Sequence, residues 1–558
     1  MGVIEPVRVV GAGITGLTAA VELSRLGVPV RVIDKLPGPA ARPKNLVIQS
    51  WTAKLLEQRG LSPETLPASN RVTHAAVYRA GGLVGTVELG AAELAPGGDH
   101  RGHALLVGQA ELERILRERL ARDDVVVEYG TELVTLVQAK PGRRSQPGEP
   151  AVTALVRHPG GRLENIIASY LISADGVPGT TGHLLNGPAH RKQDRCPYVL
   201  ADLRLDGNLR GDVISVFLGR SGFVMLLPAG RGRFQCIATD SSARSGDQGG
   251  PGMAELQQLM GTCLPAHVRP REMRWSSRFV ADRRPSPPMR HGRVFFGGDS
   301  AYAYSPAMGL GANSGIGDMV NLSWKLAMVL QGKAAPDLLA TYAEERLQAI
   351  SQLERRAEAF LHPHGAGRGL SRKLVTPIGP ALLGSPNLLD LYADLAGEVI
   401  PDYWSSPLSA PPRGPGSLEP GGSIPDLRIV MGDLSGSRPR LLRLHQLVSP
   451  SRLTLLLTDD TGSAVPSAGL DQLLPPWREL MAVRLVTPAP GHEERLGFSR
   501  AFGGRSLVVV RPDAHVSFTA GPNDLPRLIT WLNTWFPPGS TGTAPVRRRQ
   551  LAGWLHRV

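Results

Sequence analysis

Three cysteines, Cys196, Cys236 and Cys263, are all that the 558 residues contain. So few, and so unevenly spaced, they exclude a disulfide framework or a cysteine zinc site and point to a reducing compartment. No apolar run approaches the ~18 residues of a membrane-spanning helix. The first strand is reached by about Val7 with no basic and then apolar leader before it, so the expectation is a cytoplasmic protein with no membrane partner. Motifs that read bases are also missing, and the basic residues fall in scattered pairs such as Arg143-Arg144 and Arg283-Arg284. The net charge of +13 therefore suits attraction of anionic, pyrophosphate-bearing cofactors rather than a nucleic-acid partner. His100 with His103, His183, and His362 with His364 have no metal-ligand partners at useful spacing, so no metal is expected.

What is present begins with Gly11-Ala12-Gly13-Ile14-Thr15-Gly16, between a strand-like Val7 to Val10 and a helical Leu17 to Leu26. In that setting Gly11 permits the tight turn, Gly13 lets backbone approach a pyrophosphate, and Gly16 lets helix and strand pack closely. The helix start is positive, which suits the phosphates. Asp34 ends the next strand, Val28 to Ile33, where a carboxylate can accept from an adenosine ribose.

A second signal separates a flavin from a nicotinamide nucleotide. Gly297-Gly298-Asp299 follows the apolar strand Val294 to Phe296, so Asp299 should meet the hydroxyls of a ribityl chain. Pro306-Ala307-Met308-Gly309-Leu310-Gly311-Ala312-Asn313 then feeds a helix with Ile316, Met319, Val320, Leu326 and Leu330 largely along one stripe. A helix start there would stabilise negative charge on a reduced flavin. Tyr302 and Tyr304, just before that loop, are candidates for contact with substrate or flavin.

The chain reads as α/β throughout. Between Tyr198 and Thr239 the alternation in Val213 to Phe217, Val224 to Leu227 and Phe234 to Ala238 predicts an antiparallel sheet, the candidate substrate domain. Lys140 to Pro150 reads as a solvent loop in a hairpin. Pro401 to Pro425 contains Ser409-Ala410-Pro411-Pro412-Arg413-Gly414-Pro415-Gly416, which can form neither helix nor central strand, and reads as an interdomain linker. Beyond it Leu453 to Leu457, Val483 to Val486, Leu507 to Val510 and the helical Leu525 to Trp535 make a small α/β domain, followed by a basic tail with Arg547-Arg548-Arg549.

Together Gly11 to Gly16 with Asp34, Gln109 opening a helix, Ala174-Asp175-Gly176, and Gly298-Asp299 through Asn321-Leu322-Ser323-Trp324-Lys325-Leu326 resemble the class A flavin monooxygenases of the para-hydroxybenzoate hydroxylase fold. Leu507-Val508-Val509-Val510-Arg511-Pro512-Asp513 looks like the closing strand of the thioredoxin-like domain of phenol hydroxylase and of polyketide aromatic hydroxylases. The resemblance thus covers nearly the whole chain. It implies a Rossmann-like FAD-binding domain (1–70, 105–190 and 286–372), an antiparallel-sheet substrate domain (71–104 and 191–285), a helical connection and linker (373–422), a thioredoxin-like α/β domain (423–540) and the tail (541–558). Carried over, Gly11, Gly13, Ile14, Thr15, Gly16, Asp34 and Lys35 hold the ADP half of FAD, and Gln109 and Asp175 its middle. Gly298 and Asp299 hold the ribityl chain, Gly309, Gly311, Ala312 and Asn313 face the isoalloxazine, and Pro306 lines the site where oxygen meets substrate. Three departures stand out: Tyr302 where the family commonly has His, Gly179 and Gly182 where it often has Ser and Arg, and Lys44, with Arg42 nearby, in place of a flavin-contacting Arg. Lysine lacks the planar fork of arginine.

The resemblance implies an FAD-dependent monooxygenase of secondary metabolism acting on a small polyketide or polycyclic aromatic molecule, as monomer or homodimer. NADPH, bound transiently, would reduce the flavin, oxygen would add at its C4a carbon, and the distal oxygen would pass to the substrate; hydroxylation and Baeyer–Villiger insertion stay open. The departures motivate an alternative, a redox-neutral cyclase of the dialkyldecalin-forming [4+2] type with FAD as a fixed element. A third reading is a non-catalytic flavoprotein scaffold. No cysteine follows Cys263, so thiol exchange is excluded for the C-terminal domain, whose expected role is structural or interfacial.

Overall fold

The computed structural model describes residues 6–39, 45–62, 69–88, 104–138, 152–176, 179–186, 195–219, 222–240, 249–282, 289–302, 310–361, 400–432, 439–460 and 475–538. Its organising element is a six-stranded sheet in the order Arg290–His291, Val294–Phe296, Leu171–Ser173, Val7–Val10, Val30–Asp34, Val127–Tyr129. All neighbours but the first pair run parallel. The strands are short and apolar because helices cover them. Their register decides where the chemistry goes. Val10 pairs with Ser173 and with Ile33, and Ser173 with Phe296, so four chain segments leave the sheet at one level. The residues that follow are Gly11, Ala174-Asp175, Asp34 and Gly297-Gly298. In a parallel sheet that carboxyl edge is where ligands bind.

Helix Ile14–Arg25 packs on this sheet and against helix Leu310–Leu330. The latter is buried along most of its length rather than along one stripe: Ile316, Leu322 and Leu326 are 0% exposed, and so are Asp318, Asn321 and Lys325. It runs between the first helix on one side and the C-terminal unit on the other, which removes any solvent face.

A seven-stranded sheet, ordered Arg269–Asp282, Arg195–Asp206, Arg233–Thr239, Phe223–Pro228, Val213–Leu218, His74–Arg79, Gly82–Glu88, forms the second unit. It is antiparallel except where Val213–Leu218 meets His74–Arg79 in parallel, the junction that brings the early segment beside the later one. Side-chain alternation gives it two apolar faces. Tyr198, Leu200, Ile214, Val216, Phe223, Met225 and Ile237 share one with Leu106 and Val72, while helix Met253–Gly261 covers the other through Leu256 and Met260. Cys236 and Cys263 are free thiols in this unit. The expected hairpin joins Glu132–Gln138 to Val152–Arg157 in antiparallel pairing; its loop lies outside the described residues.

The C-terminal unit is a six-stranded mixed sheet, Arg440–Arg443, Arg428–Gly432, Met481–Pro488, Leu453–Thr458, Ser506–Val510, Val516–Ala520, with helices His492–Phe502 and Leu525–Trp535. The Pro/Gly-rich stretch before it forms no helix, as its prolines require, yet it is not a free spacer. Ala410 N–H donates to the Ser517 carbonyl, Gly421 N–H to Val516 and Ile424 N–H to Ala514, so it is laid along the edge strand and covers that strand's open backbone groups. Tyr403 and Leu408 anchor it, 2% and 0% exposed. Among the described residues no helix is long and apolar enough to cross a membrane.

Candidate cofactor site

The glycine turn is built as its spacing predicts. Gly11 has φ +102°, and a β-carbon there would collide with the Ala174 carbonyl, so only glycine lets the first turn pass this close to the Asp175 loop. A β-carbon at Gly16 would strike the Gly11 carbonyl. Gly13 is different: among the described residues nothing lies within 4 Å of where its β-carbon would be, and no side chain caps the helix that begins after it. Uncapped N–H groups facing open space fit the diphosphate of a dinucleotide. Asp34 accepts the Ala12 N–H at 2.7 Å and the Leu36 N–H at 2.8 Å, which pins the turn and leaves carboxylate lone pairs for a sugar hydroxyl. Lys35 beside it is exposed.

The second segment arrives next to the first. Gly298, at φ +58°, and Gly315 both have Thr15 against the position a β-carbon would take, so Thr15 is wedged between the strand end and the 310–330 helix. Asp299 is exposed, and one of its carboxylate oxygens lies 3.7 Å from the place of a β-carbon at Gly311. Two stretches almost 300 residues apart in sequence thus converge through contacts that tolerate only glycine.

Several predicted site residues turn out to fix the loops. Asp175 accepts from Ser173 Oγ at 2.7 Å and from the N–H and hydroxyl of Thr181 at 2.9 and 3.1 Å, so it caps helix Thr180–Asn186. Gly179 has Asp175 Oδ1 2.7 Å from its β-carbon position, which leaves no room for the serine often found there. Asn313 is buried; it donates to the Val47 carbonyl at 2.7 Å and accepts the Gln49 N–H at 2.9 Å, tying the helix start to the segment after Arg42 and Lys44. Gln109 donates to Glu113 at 2.8 Å within its own helix.

Tyr302, singled out as a catalytic candidate, is 3% exposed and donates its hydroxyl to Asp318 at 2.5 Å. That bond ties the residues after the strand to the 310–330 helix. Arg42, Lys44, Tyr304, Pro306 and Gly309 lie outside the described residues.

Asp318 itself was not anticipated. It also accepts the Gly298 N–H at 2.8 Å and Arg346 Nε at 2.5 Å. Tyr342 donates to the Phe296 carbonyl at 2.6 Å, and burial, with Asp318 nearby, raises its phenol. Further along, Glu345 accepts from Lys325 Nζ at 2.6 Å, Arg511 at 2.7 and 2.9 Å, Ser406 at 2.7 Å and Asn321 at 2.6 Å. Arg511 also pairs with Asp513. Burial alone would raise the Glu345 carboxyl, but Arg511 and Lys325 outweigh it and hold it at about 2.

A family model described as "FAD binding domain" matches residues 5–357. The 6-methylpretetramide 4-monooxygenase of Streptomyces rimosus is 31% identical over 541 residues, covering 92% of this chain and 90% of that protein. Among solved structures, aklavinone-11 hydroxylase in complex with FAD and aklavinone superposes with a TM-score of 0.71 at 22% identity over 96% of this chain and 99% of that one. A Diels-Alderase of pyrroindomycin biosynthesis does so with a TM-score of 0.66 at 23% identity over 96% and 100%. At those identities the likeness is one of fold. With the family match spanning both converging segments, the chain belongs to the FAD-binding family of class A flavin monooxygenases.

Proposed function

We propose that this protein is an FAD-dependent monooxygenase that places one oxygen atom on a polycyclic aromatic, polyketide-derived substrate. The observation that carries the reading is the in-register exit of Gly11, Asp34, Asp175 and Gly298 at one sheet edge, in a chain 31% identical to a pretetramide monooxygenase along nine-tenths of its length. FAD, when bound, would carry two electrons from the nicotinamide to dioxygen and supply the oxygen activation. The N–H groups after Gly13 bind the diphosphate, Asp34 and Asp299 orient the two sugar arms, and Gly311 to Asn313 bring a helix start towards the flavin ring, where its positive end favours the reduced, negative form. Leu200, Phe223, Met225 and Ile237 belong to the buried apolar core of the seven-stranded unit, and exclusion of water from a substrate held beside that core would protect the oxygen transfer. NADPH as the transient reductant and the domain limits given above belong to the same reading. So does a thioredoxin-like C-terminal domain, supported by the parallel pair 453–458 and 481–488, the antiparallel pair 506–510 and 516–520, and a closing helix.

The test uses holoprotein with NADPH, labelled dioxygen and a tetracyclic polyketide phenol. Substrate-stimulated NADPH consumption and a product carrying one labelled oxygen are expected. The specific observations favouring a second reading, a redox-neutral cyclase, are the departures at Tyr302 and Gly179 and the fold shared with a Diels-Alderase. Anaerobic mixing with NADPH decides between them: bleaching of the ~450 nm flavin band fits the oxygenase, and yellow colour that persists with and without substrate fits the cyclase.

A further inference from the structure

A line of buried polar groups runs from the cofactor-facing turn to the C-terminal unit. The Gly298 N–H and the Tyr302 hydroxyl donate to Asp318; Asp318 accepts Arg346 Nε on its other oxygen; Arg346 Nη1 donates to the Tyr403 hydroxyl at 2.8 Å. Tyr403 belongs to the Pro/Gly-rich strap, its N–H bonded to the Gly421 carbonyl. Its ring lies 4.3 Å from that of His515 and 5.2 Å from the Arg511 guanidinium, both on the C-terminal unit. Asp318, Arg346 and Tyr403 are at most 2% exposed, so these bonds are made in the interior. Arg346 is the only described residue that bonds both Asp318 and Tyr403, and its planar fork spans the two helices and the strap at once.

We propose that Tyr403 and Arg346 are positioning residues for the cofactor: through Asp318 they fix the Gly298–Asp299 turn, so that seating of the ribityl arm depends on docking of the strap and the C-terminal unit. This assigns the cysteine-free C-terminal unit a task, that of buttress to the flavin site. It rests on the reading of Asp299 as the partner of that arm.

The experiment compares three variants of the full chain. Tyr403→Phe deletes one hydroxyl of the relay and keeps the ring against His515. Thr458→Val deletes an equally buried hydroxyl in the C-terminal sheet, where Thr458 Oγ1 donates to the Gly504 carbonyl at 2.7 Å, away from the relay. Asp299→Ala removes the proposed ligand itself. The measurements are melting temperature of the apoprotein, FAD dissociation constant and the fine structure of the bound flavin's visible band. Losing a hydrogen bond to a charged group should weaken FAD roughly ten-fold in Tyr403→Phe and blur the band, with Thr458→Val near wild type at a similar loss of melting temperature. Equal FAD affinities and spectra for Tyr403→Phe and Thr458→Val would overturn the relay, provided Asp299→Ala binds FAD poorly. If Asp299→Ala binds FAD normally, the ribityl assignment fails, and the relay with it.

Discussion

At its start the 310–330 helix presents Gly311, Ala312 and Asn313, small or amide side chains beside an exposed Asp299. Further along, Asp318, Asn321 and Lys325 are fully buried and each is met by a partner from another segment. The first helix repeats the first half of this contrast, with an uncapped start and open space at Gly13. One end of the helix thus lies beside the exposed Asp299, whereas its other end is packed into the interface with the C-terminal unit. A buried charge left alone is costly, so the interface tolerates no missing partner; a donor facing open space costs little until a ligand comes. The two regions should therefore fail in opposite ways when altered.

The largest effect is expected at Glu345. Its removal leaves Lys325 and Arg511 buried without their shared carboxylate, and Glu345→Ala should cost about 3–5 kcal/mol of folding stability by denaturant titration. Loss of less than about 1 kcal/mol, the size of a surface pair, would break the contrast. The same carboxylate gives a pH test. Its folded value of about 2 lies below the ordinary 4.5, so its stabilisation is complete above about pH 4.5 and is lost as the pH falls towards 2. The penalty of Glu345→Gln, measured against wild type, should be largest near neutrality and shrink across that window; a penalty constant from pH 6 to about 3 would contradict the network.

Next in size is Gly11→Ala. It adds a side chain at φ +102° against the Ala174 carbonyl, and strain of that kind costs about 1–3 kcal/mol. FAD affinity and apoprotein stability should fall together, which calorimetry with and without FAD will show.

These positions also mark what the chain revealed before it was seen folded. The glycine turns were legible because positive φ and close backbone approach need glycine whatever surrounds them, and the strands around them because short apolar runs bounded by glycine have few other uses. Asp318, Glu345, Arg346 and Tyr403 were not legible. Glu344-Glu345-Arg346 in an amphipathic helix reads like a solvated face, and Tyr403 stands among prolines; what buries them is contact across tens to more than a hundred residues. One trace did exist. The 310–330 helix has only Asp318 and Lys325 as charged residues in an otherwise apolar and small sequence, and a helix apolar all round is buried, so its few charges must be partnered. The bond from Tyr302 to Asp318 was hidden for a similar reason, since nothing in the sequence links a tyrosine before the glycine-rich loop to a carboxylate sixteen residues on.

The smallest effect on folding, and the one that most sharpens the contrast, is expected at Gly13. Its φ of −75° and ψ of −177° are those of a residue that caps a helix start, yet glycine brings no capping oxygen. Gly13→Ser supplies one in space that no atom of the described residues occupies. The hydroxyl can accept from the N–H two or three residues on, so the apoprotein should gain about 0.3 kcal/mol or stay level. Those are the donors assigned to the diphosphate, and a serine both occupies them and stands in its way. FAD affinity should therefore fall by roughly ten-fold or more while the melting temperature of the apoprotein holds or rises. Stability and binding moving in opposite directions at one residue is what a ligand-facing helix start predicts. A Gly13→Ser protein that binds FAD as tightly as wild type would mean that the diphosphate does not use this turn.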